Sequence, residues 1–300
     1  MFLKDTIIGN ERIAEMLEKN YKADKLSHAY LFEGPEHIGK KILALAFCRL
    51  LLDDNKKNIL ENPDLMVLNP SDSDKQITIG KIRELEKILG LYPYCSKYKI
   101  AIIEQAEKMN KAAANALLKT LEEPSGTTIL LLLSSDSKNM PDTIKSRCRR
   151  IKFLPVKKEL LREFLKDKIR EKSEVERIIE ISGYKPGKII EFLKDRKKIS
   201  TAIEVINEFA AVIKKNENDK ISEAEKISKN EIDDITNMLD LWAIYCRKLL
   251  VKKYETCDDG KKEYLTEIVA RINLINKTKK DILSKNINIR LAIENLLLRI

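Results

Sequence analysis

The chain has 300 residues, 43% of them hydrophobic, and a formal net charge of +10. This length and apolar content suffice for two or three domains with buried cores. No apolar run approaches the roughly 18 residues that span a bilayer, and the first residues, MFLKDTIIGNER, show no long apolar stretch or cleavage signal. We therefore expect a cytoplasmic protein with no membrane partner.

The numbers and positions of the cysteines and histidines limit the kinds of metal and catalytic site that the chain can form. The five cysteines lie far apart in the sequence and form no C-x-x-C pair, and only two histidines occur. These features predict reduced, isolated thiols and no metal site, zinc included, and they leave little material for a histidine-based catalytic centre. The positive charge is spread along the chain, except that KSRCRRIK, residues 145–152, has five bases and no acid. Such a balance is compatible with acidic partners, nucleic acid among them.

Five short apolar runs, separated by helical patterns, fill the first half of the chain. They are HAYLFEGP, PDLMVLNP, YKIAIIEQ, TTILLLLSS and RRIKFLPV. Runs of Ile, Leu and Val without polar alternation are typical of parallel strands covered on both faces. The sequence therefore predicts an α/β fold with a doubly wound parallel sheet, and ligands at the carboxyl ends of its strands.

Helical patterns connect these strands and then fill the rest of the chain. One helix is predicted from Lys41 and another from Asn110, the latter ending before Pro124. No strand candidate follows Pro155. We predict an α/β domain over residues 1–155, a small helical lid over 156–197, and an all-α domain over 198–300. The polar run KKNENDK, residues 214–220, reads as a loop between helices.

The segment GPEHIGKK, residues 34–41, follows the first predicted strand and opens a helix. Gly34, Gly39 and Lys40 match the phosphate-binding pattern G-x-x-x-x-G-K-[S/T], in which backbone N–H groups cradle phosphate and the lysine reaches its outer oxygens. The last position is Lys41 instead of the hydroxyl that helps to hold magnesium. The pattern thus predicts a degenerate nucleotide loop.

Hydrolysis also needs acids at a strand end, one to hold magnesium and one to orient water. The candidate strand, IAIIEQAE, ends in Glu104 and Gln105. The carboxylate of Glu104 has the chemistry to approach a metal, whereas the amide of Gln105 cannot accept a proton from water. With Lys41 in place of the hydroxyl, the sequence predicts that this chain does not hydrolyse a nucleotide at its own site.

A third candidate is Arg147, in PDTIKSRCRRIKF. A guanidinium is always charged and presents a planar fork of donors, so Arg147 has the chemistry to stabilise charge on the γ-phosphate of a neighbouring subunit. An ordinary basic surface patch of Arg147, Arg149 and Arg150 is the alternative that spacing alone leaves open.

Several segments together resemble one known family. They are IIGNERI, LSHAYLFEGPEHIGKK, NPDLMVLNP, YKIAIIEQAEKMNKAAANALLKTLEEPSGTTILLL, NMPDTIKSRC and NINIRLAIENLLLRI. The chain is similar to delta-prime-type subunits of the bacterial DNA polymerase III clamp loader, which are AAA+ proteins. SHAYLFEGP, NALLKTLEEP and SRC are the most specific matches, and residues 195–285 match least. The resemblance implies a P-loop-like AAA+ domain followed by a lid and a C-terminal collar.

The resemblance also implies residue roles. Ser146, Arg147 and Cys148 match a motif that supplies an arginine finger to the ATP site of an adjacent motor subunit. The position that senses the γ-phosphate falls at Ser134 or Ser135, and a nucleotide-contacting lid residue falls near Lys188.

Cofactors and partners follow from the same resemblance. Many relatives carry a four-cysteine zinc module after the loop helix, where this chain has only Cys48, so we expect no zinc and no required cofactor. Residual binding of ATP or ADP stays open. The implied partners are gamma or tau motor subunits and a delta subunit in a heteropentamer, the sliding clamp, and primed DNA through that complex. The alternatives are an active AAA+ ATPase, either a motor subunit or a remodeller such as a helicase loader, and a stand-alone nucleic-acid-binding module.

Overall fold

The computed structural model describes residues 3–54, 58–70, 76–124, 127–255, 262–283 and 287–300. These residues form two compact units. The first comprises the described part of Met1–Leu165 together with Lys185–Gly187, and the second comprises that of Lys166–Tyr184 and Lys188–Ile300. The division into three domains at residues 155 and 197 stays a prediction. Cys257 lies outside the described residues, and the other four cysteines are free thiols.

The first unit contains a five-stranded parallel sheet, which confirms all five predicted strands. They are β1 (Ala29–Glu33), β2 (Leu65–Leu68), β3 (Lys99–Ile103), β4 (Thr128–Ser134) and β5 (Arg149–Lys152). The strand order is β2-β3-β4-β1-β5, and every pair is parallel. The first strand thus lies inside the sheet, between β4 and the edge strand β5, and the loop that follows it leaves from the carboxyl edge.

Thirteen α-helices occur among the described residues. They are α1 (Glu11–Lys22), α2 (Lys40–Leu52), α3 (Ile79–Leu89), α4 (Lys111–Glu122), α5 (Asp142–Lys145), α6 (Lys158–Lys166), α7 (Lys172–Ile181), α8 (Pro186–Lys194), α9 (Lys197–Val212), α10 (Glu217–Ser228), α11 (Ile232–Glu255), α12 (Lys262–Leu283) and α13 (Ile289–Arg299). None of the helices within the described ranges is long and apolar enough to span a membrane.

Both faces of the sheet are covered by helices, as the continuous apolar strands predict. Leu31 belongs to a core cluster that includes residues of α3 and α4. Its neighbour Tyr30 is oriented to the other face, where its ring meets Phe47 of α2 edge to face at 5.8 Å. Successive strand residues alternate between faces, and β1, β3 and β4 are buried at every position. The edge strand β5 differs, since only Ile151 of its four residues is buried.

The α4 helix shows why its boundaries were predictable. Asn110 precedes the first turn, and its side chain accepts a hydrogen bond from the N–H of Ala113 at 2.8 Å. Such a cap satisfies one of the unpaired amides at a helix start. The helix ends at Glu122, two residues before Pro124, which cannot continue it.

The second unit is entirely helical in its described part. Its core includes a stacked pair, Phe209 of α9 and Trp242 of α11, with ring centroids 4.3 Å apart. The polar run at residues 214–220 is only partly a loop, because α10 begins at Glu217. Asn216 caps that helix by accepting a bond from the N–H of Asp219 at 2.9 Å. The polarity reflects a capped, solvated first turn, which corrects the prediction.

Asp64 organises the loop that leads into β3. Its carboxylate accepts backbone N–H bonds from Tyr94 at 2.6 Å, Cys95 at 2.9 Å and Ser96 at 3.0 Å. Burial acts to raise the pKa of the Asp64 carboxyl, but the bonds from this loop outweigh it and hold the pKa below its ordinary value. One buried carboxylate therefore fixes three successive residues of the loop.

Candidate functional site

The turn from β1 into α2 requires its two glycines. Gly34 has φ of 152°, and a Cβ there would lie 2.7 Å from the carbonyl oxygen of Phe153. The close approach arises because the N–H of Phe153 donates to the Glu33 carbonyl at 2.7 Å, extending the pairing of β5 with β1. Gly39 has φ of 101° immediately before α2 begins. Both are backbone conformations that glycine adopts without strain.

Lys40 is folded back onto the loop that carries it. Its ammonium donates to the carbonyl oxygens of Gly34 at 2.5 Å and Pro35 at 2.7 Å. The group predicted to reach the outer phosphates is therefore engaged with the protein's own backbone. A phosphate would have to compete with two short charge-assisted hydrogen bonds.

Burial lowers the pKa of Lys40 from 10.5 to about 8. The positive charge of Lys185 acts in the same direction, while the carboxylates of Glu107 and Glu36 act to raise the pKa and offset part of the effect. Sequence reasoning missed both acids as neighbours of this lysine. Glu36 lies within the loop itself, and that position was the available signal.

Lys41 forms an ion pair with Glu104, with 2.7 Å between Nζ and Oε1. The Glu104 side chain is 17% exposed and that of Lys41 is 52% exposed. Glu104 directly follows β3, and its N–H donates to the Leu68 carbonyl of β2 at 2.9 Å, which fixes the strand end. The structure thus joins the residue in the hydroxyl position to the acid predicted to approach a metal.

The residues present do not fit a magnesium ion of the kind that this fold implies. Magnesium needs oxygen ligands, and a phosphate loop supplies one through its Ser or Thr hydroxyl. Lys41 has no oxygen in its side chain, and its ammonium contacts the Glu104 carboxylate. A metal ion at this carboxylate would face a neighbouring positive charge.

Gln105 and Glu107 follow β3 and have different surroundings. Gln105 is exposed with φ of 50°, and its backbone starts the short 3-10 turn Ala106–Lys108. That turn carries Glu107 back to the strand ends, where its carboxylate accepts a bond from the N–H of Ser135 at 3.1 Å and one from its hydroxyl. Ser134, the other predicted sensor, is buried at 1% exposure.

The start of α8 contacts the phosphate loop within the first unit. The N–H of Gly187 donates to the His37 carbonyl at 2.8 Å, and a Cβ on Gly187 would lie 2.8 Å from that oxygen. His37 itself has φ of 60°. Lys188 belongs to the second unit, where its ammonium pairs with Glu191 at 3.2 Å. Its predicted contact with nucleotide stays a prediction.

Arg147 projects from a rigid junction between α5 and β5. Ile144 before it and Cys148 after it belong to the buried core, and burial raises the pKa of the Cys148 thiol to about 12. The guanidinium donates to the Thr143 carbonyl at 3.0 Å and pairs with Glu122, at the end of α4, at 2.6 Å. Arg147 is partly exposed.

Ser146 is exposed beside Arg147, and its hydroxyl donates to the Thr143 carbonyl at 3.1 Å. The two other arginines of the basic run are exposed and differ in their contacts. Arg150 grips the Glu33 carboxylate with two bonds, at 2.6 and 3.1 Å, whereas Arg149 contacts the Met16 sulfur at 3.7 Å.

Arg147 and the phosphate loop lie at opposite edges of the sheet. The register pairs Tyr30 with Arg149 and Glu33 with Lys152, so β1 and β5 run side by side in one direction. Arg147 precedes β5 and is at the amino edge, whereas Gly34 follows β1 and is at the carboxyl edge. Five residues of strand separate the two levels by roughly 15 Å. The structure therefore does not bring Arg147 to this chain's own loop.

No group of three or more His, Cys, Asp or Glu side chains that could hold a metal ion occurs within the described ranges. The expectations of no zinc and no required cofactor stay predictions.

The solved structures define the class of fold. A gamma-subunit-related protein of DNA polymerase III from Thermotoga maritima matches with a TM-score of 0.53 at 20% identity, covering 94% of this chain and 97% of that one. A parallel sheet with a glycine-containing turn after the interior strand β1, followed by a helical C-terminal region, is an AAA+ fold of the P-loop type.

The family follows from sequence comparison. Residues 9–157 match the family model described as DNA polymerase III, delta subunit. The delta-prime subunit of Pseudomonas aeruginosa is 39% identical over 136 residues (41% of this chain, 42% of that protein). The delta-prime subunit of Bacillus subtilis is 33% identical over 168 residues (51% and 50%), and the tau subunit of the same organism is 30% identical over 160 residues (50% and 28%).

Through residues 9–157, the chain is similar to the DNA polymerase III clamp-loader family, its delta-prime subunits in particular. It spans half or less of the length of these curated relatives.

Proposed function

We propose that this chain is a clamp-loader subunit of DNA polymerase III that does not hydrolyse ATP itself and supplies Arg147 to the nucleotide site of a neighbouring motor subunit. In this proposal it assembles in the cytoplasm with gamma or tau subunits and a delta subunit into a heteropentamer. The complex then loads the sliding clamp on primed DNA. The similarity of its first half to delta-prime and tau subunits supports the assignment.

The observation that carries the proposal is the edge on which Arg147 lies. At the amino edge of the sheet, roughly 15 Å from the level of its own loop, the guanidinium cannot serve a phosphate held at Gly34–Lys40. It is nevertheless partly exposed and fixed by buried residues on both sides. A positioned and accessible guanidinium that cannot act in its own subunit is suited to act on a nucleotide held by another chain.

The ion pair with Glu122 orients the Arg147 side chain but is weak enough to be exchanged. Both side chains are partly exposed, and such ion pairs contribute about 1 kcal/mol or less. A γ-phosphate offers more negative charge than one carboxylate, and two of its oxygens can likewise accept parallel hydrogen bonds from the guanidinium. Arg147 can therefore exchange Glu122 for phosphate at small cost when a neighbouring site closes on it.

The test uses the reconstituted loader with Arg147→Ala in this chain. Removing an arginine finger lowers hydrolysis at the dependent site by about 10³-fold or more, so the loader loses that site's share of DNA-stimulated ATP turnover. The matched control is Arg149→Ala, two residues further on in the same basic run, whose guanidinium contacts the Met16 sulfur. Both variants remove one positive charge from the basic run, so a difference in their ATP turnover reports a specific role of Arg147.

Equal turnover by the two variants, at equal assembly, would reduce Arg147 to a member of an ordinary basic patch. The proposal also requires that the isolated chain release no phosphate from ATP with magnesium. Hydrolysis that Lys40→Ala abolishes would replace the proposal with the alternative of an active AAA+ ATPase.

A further inference from the structure

The Lys41–Glu104 ion pair lies at the point where a working phosphate loop places its metal. Lys41 takes the position of the hydroxyl, and its ammonium lies 2.7 Å from the Glu104 carboxylate at the end of β3. A single cationic side chain thus removes an oxygen ligand and at the same time occupies the acid that would support the metal.

The burial of Glu104 makes its carboxylate dependent on the charge of Lys41. Glu104 is mostly buried, and a buried carboxylate requires a compensating charge or hydrogen bonds. Lys41 provides that charge from within the chain. A divalent ion at Glu104 would have to displace the ammonium, which is held close by its own helix, and would then lack the hydroxyl ligand.

Other groups of the loop also have partners within the protein. The ammonium of Lys40 is taken by the carbonyls of Gly34 and Pro35, and the His37 carbonyl accepts the N–H of Gly187. The loop therefore keeps its turn through internal contacts, with cationic side chains at two successive positions at the start of α2.

We propose that Lys41 is a built-in replacement for the divalent metal, so that this loop is a metal-independent site, and any nucleoside di- or triphosphate it takes is bound without magnesium. The inference rests on the proposed function, in which this loop does no hydrolysis, and it adds what distinguishes the loop chemically from a motor site. Its ligand class is the polyphosphate anion alone, not the metal complex.

The experiment titrates the full-length chain with ADP by calorimetry, in magnesium and in EDTA. For the wild type, ADP binds in both buffers and magnesium changes its Kd by less than about twofold, whereas no binding in either buffer would overturn the assignment of a polyphosphate site. Lys41→Ser restores a hydroxyl and frees Glu104, and magnesium then strengthens ADP binding by at least about tenfold, within the ordinary range of coupling between two ligands. Coupling is reciprocal, so ADP also increases the binding of Mn²⁺, read by electron paramagnetic resonance.

Two further variants make the result specific. Adding Glu104→Gln to Lys41→Ser abolishes the gain, because the acid that would support the metal is then gone. Lys111→Ser is the matched control, since it makes the same substitution at the exposed first residue of another helix, α4. It leaves the behaviour of the wild type unchanged, and circular dichroism checks that each variant is folded.

Magnesium-dependent ADP binding by the wild type overturns the inference, and so does a Lys41→Ser variant that gains no magnesium dependence. These outcomes leave the proposed function standing, because that is decided by turnover of the loader with Arg147→Ala. Conversely, hydrolysis of ATP by the isolated chain in EDTA would overturn the proposed function and leave Lys41 as the replacement for the metal.

Discussion

Replacing Lys40 with methionine is expected to stabilise the first unit at neutral pH. Burial lowers the pKa of this lysine from 10.5 to about 8, so at pH 7 the folded unit carries an ammonium that is less favourable there than in the unfolded chain. That difference in pKa corresponds to about 3 kcal/mol. This difference already contains the charge-dependent part of the contacts with the carbonyls of Gly34 and Pro35, so the substitution additionally loses only what a neutral amine would donate to them, about 1–2 kcal/mol. The expected net gain for Lys40→Met is thus about 1–2 kcal/mol.

The pH dependence follows from the same quantities. Because the pKa of Lys40 is lower in the folded state, the unfolded chain binds more protons between about pH 8 and 10.5, and the free energy of unfolding of the wild type rises with pH in that window. Below pH 8 the full cost is present. Near pH 10.5 the cost has vanished while the lost hydrogen bonds remain, so Lys40→Met becomes less stable than the wild type by about 1–2 kcal/mol.

The assay must report the free energy of unfolding of the first unit. Tryptophan fluorescence does not serve, because the lone tryptophan, Trp242, belongs to the second unit. Hydrogen exchange of the β1 and β4 amides at pH 7, 8, 9 and 10 measures the relevant free energy, and Trp242 fluorescence during urea unfolding follows the other unit. Lys111→Met, at an exposed helix start, is the control and is expected to stay within about 0.5 kcal/mol of the wild type. A Lys40→Met variant destabilised at pH 7, or offset from the wild type by a constant amount from pH 7 to 10, would refute the reasoning.

Two further predictions concern the loop ahead of β3. Asp64→Asn keeps an oxygen for some of the three N–H bonds but loses the charge and sets an amide N–H₂ against a donor, so it costs about 2–3 kcal/mol, read by exchange of the β3 amides. Asp24→Asn breaks only an exposed pair and costs less than about 1 kcal/mol; equal losses would contradict this role for Asp64. Since the pKa of Asp64 lies below its ordinary value, its contribution is present above about pH 4 and is lost as pH falls through the folded value. Iodoacetamide at pH 8 should alkylate the exposed Cys95 at least about tenfold faster than Cys48, where burial raises the thiol pKa, and mass spectrometry of the peptides measures the ratio; similar rates would contradict the buried position of Cys48.

The features that could be predicted from the sequence are those that a local residue pattern encodes. The strands were recognisable because both faces of a parallel sheet need apolar residues, and α4 because Asn110 and Pro124 mark its ends. The strand order and the contact between Lys41 and Glu104, 63 positions apart, depend on which strands become neighbours, and no local pattern encodes that. Glu107 was missed because a short 3-10 turn reverses the chain after β3.

In the structure, the unusual Lys41 of the loop is coupled to Glu104 and not to Gln105. From sequence, Lys41 and Gln105 looked like paired losses, but Gln105 is exposed while Lys41 contacts Glu104. The dependence within that contact is unequal: Glu104, mostly buried, needs a partner, whereas the half-exposed Lys41 can remain hydrated without one. A lysine at this position therefore compensates the acid that a missing metal would leave uncompensated. The loop can then keep its shape with no ligand, and a subunit of this kind contributes a fixed surface and a fixed guanidinium, while nucleotide-dependent movement is left to the partners we propose for it.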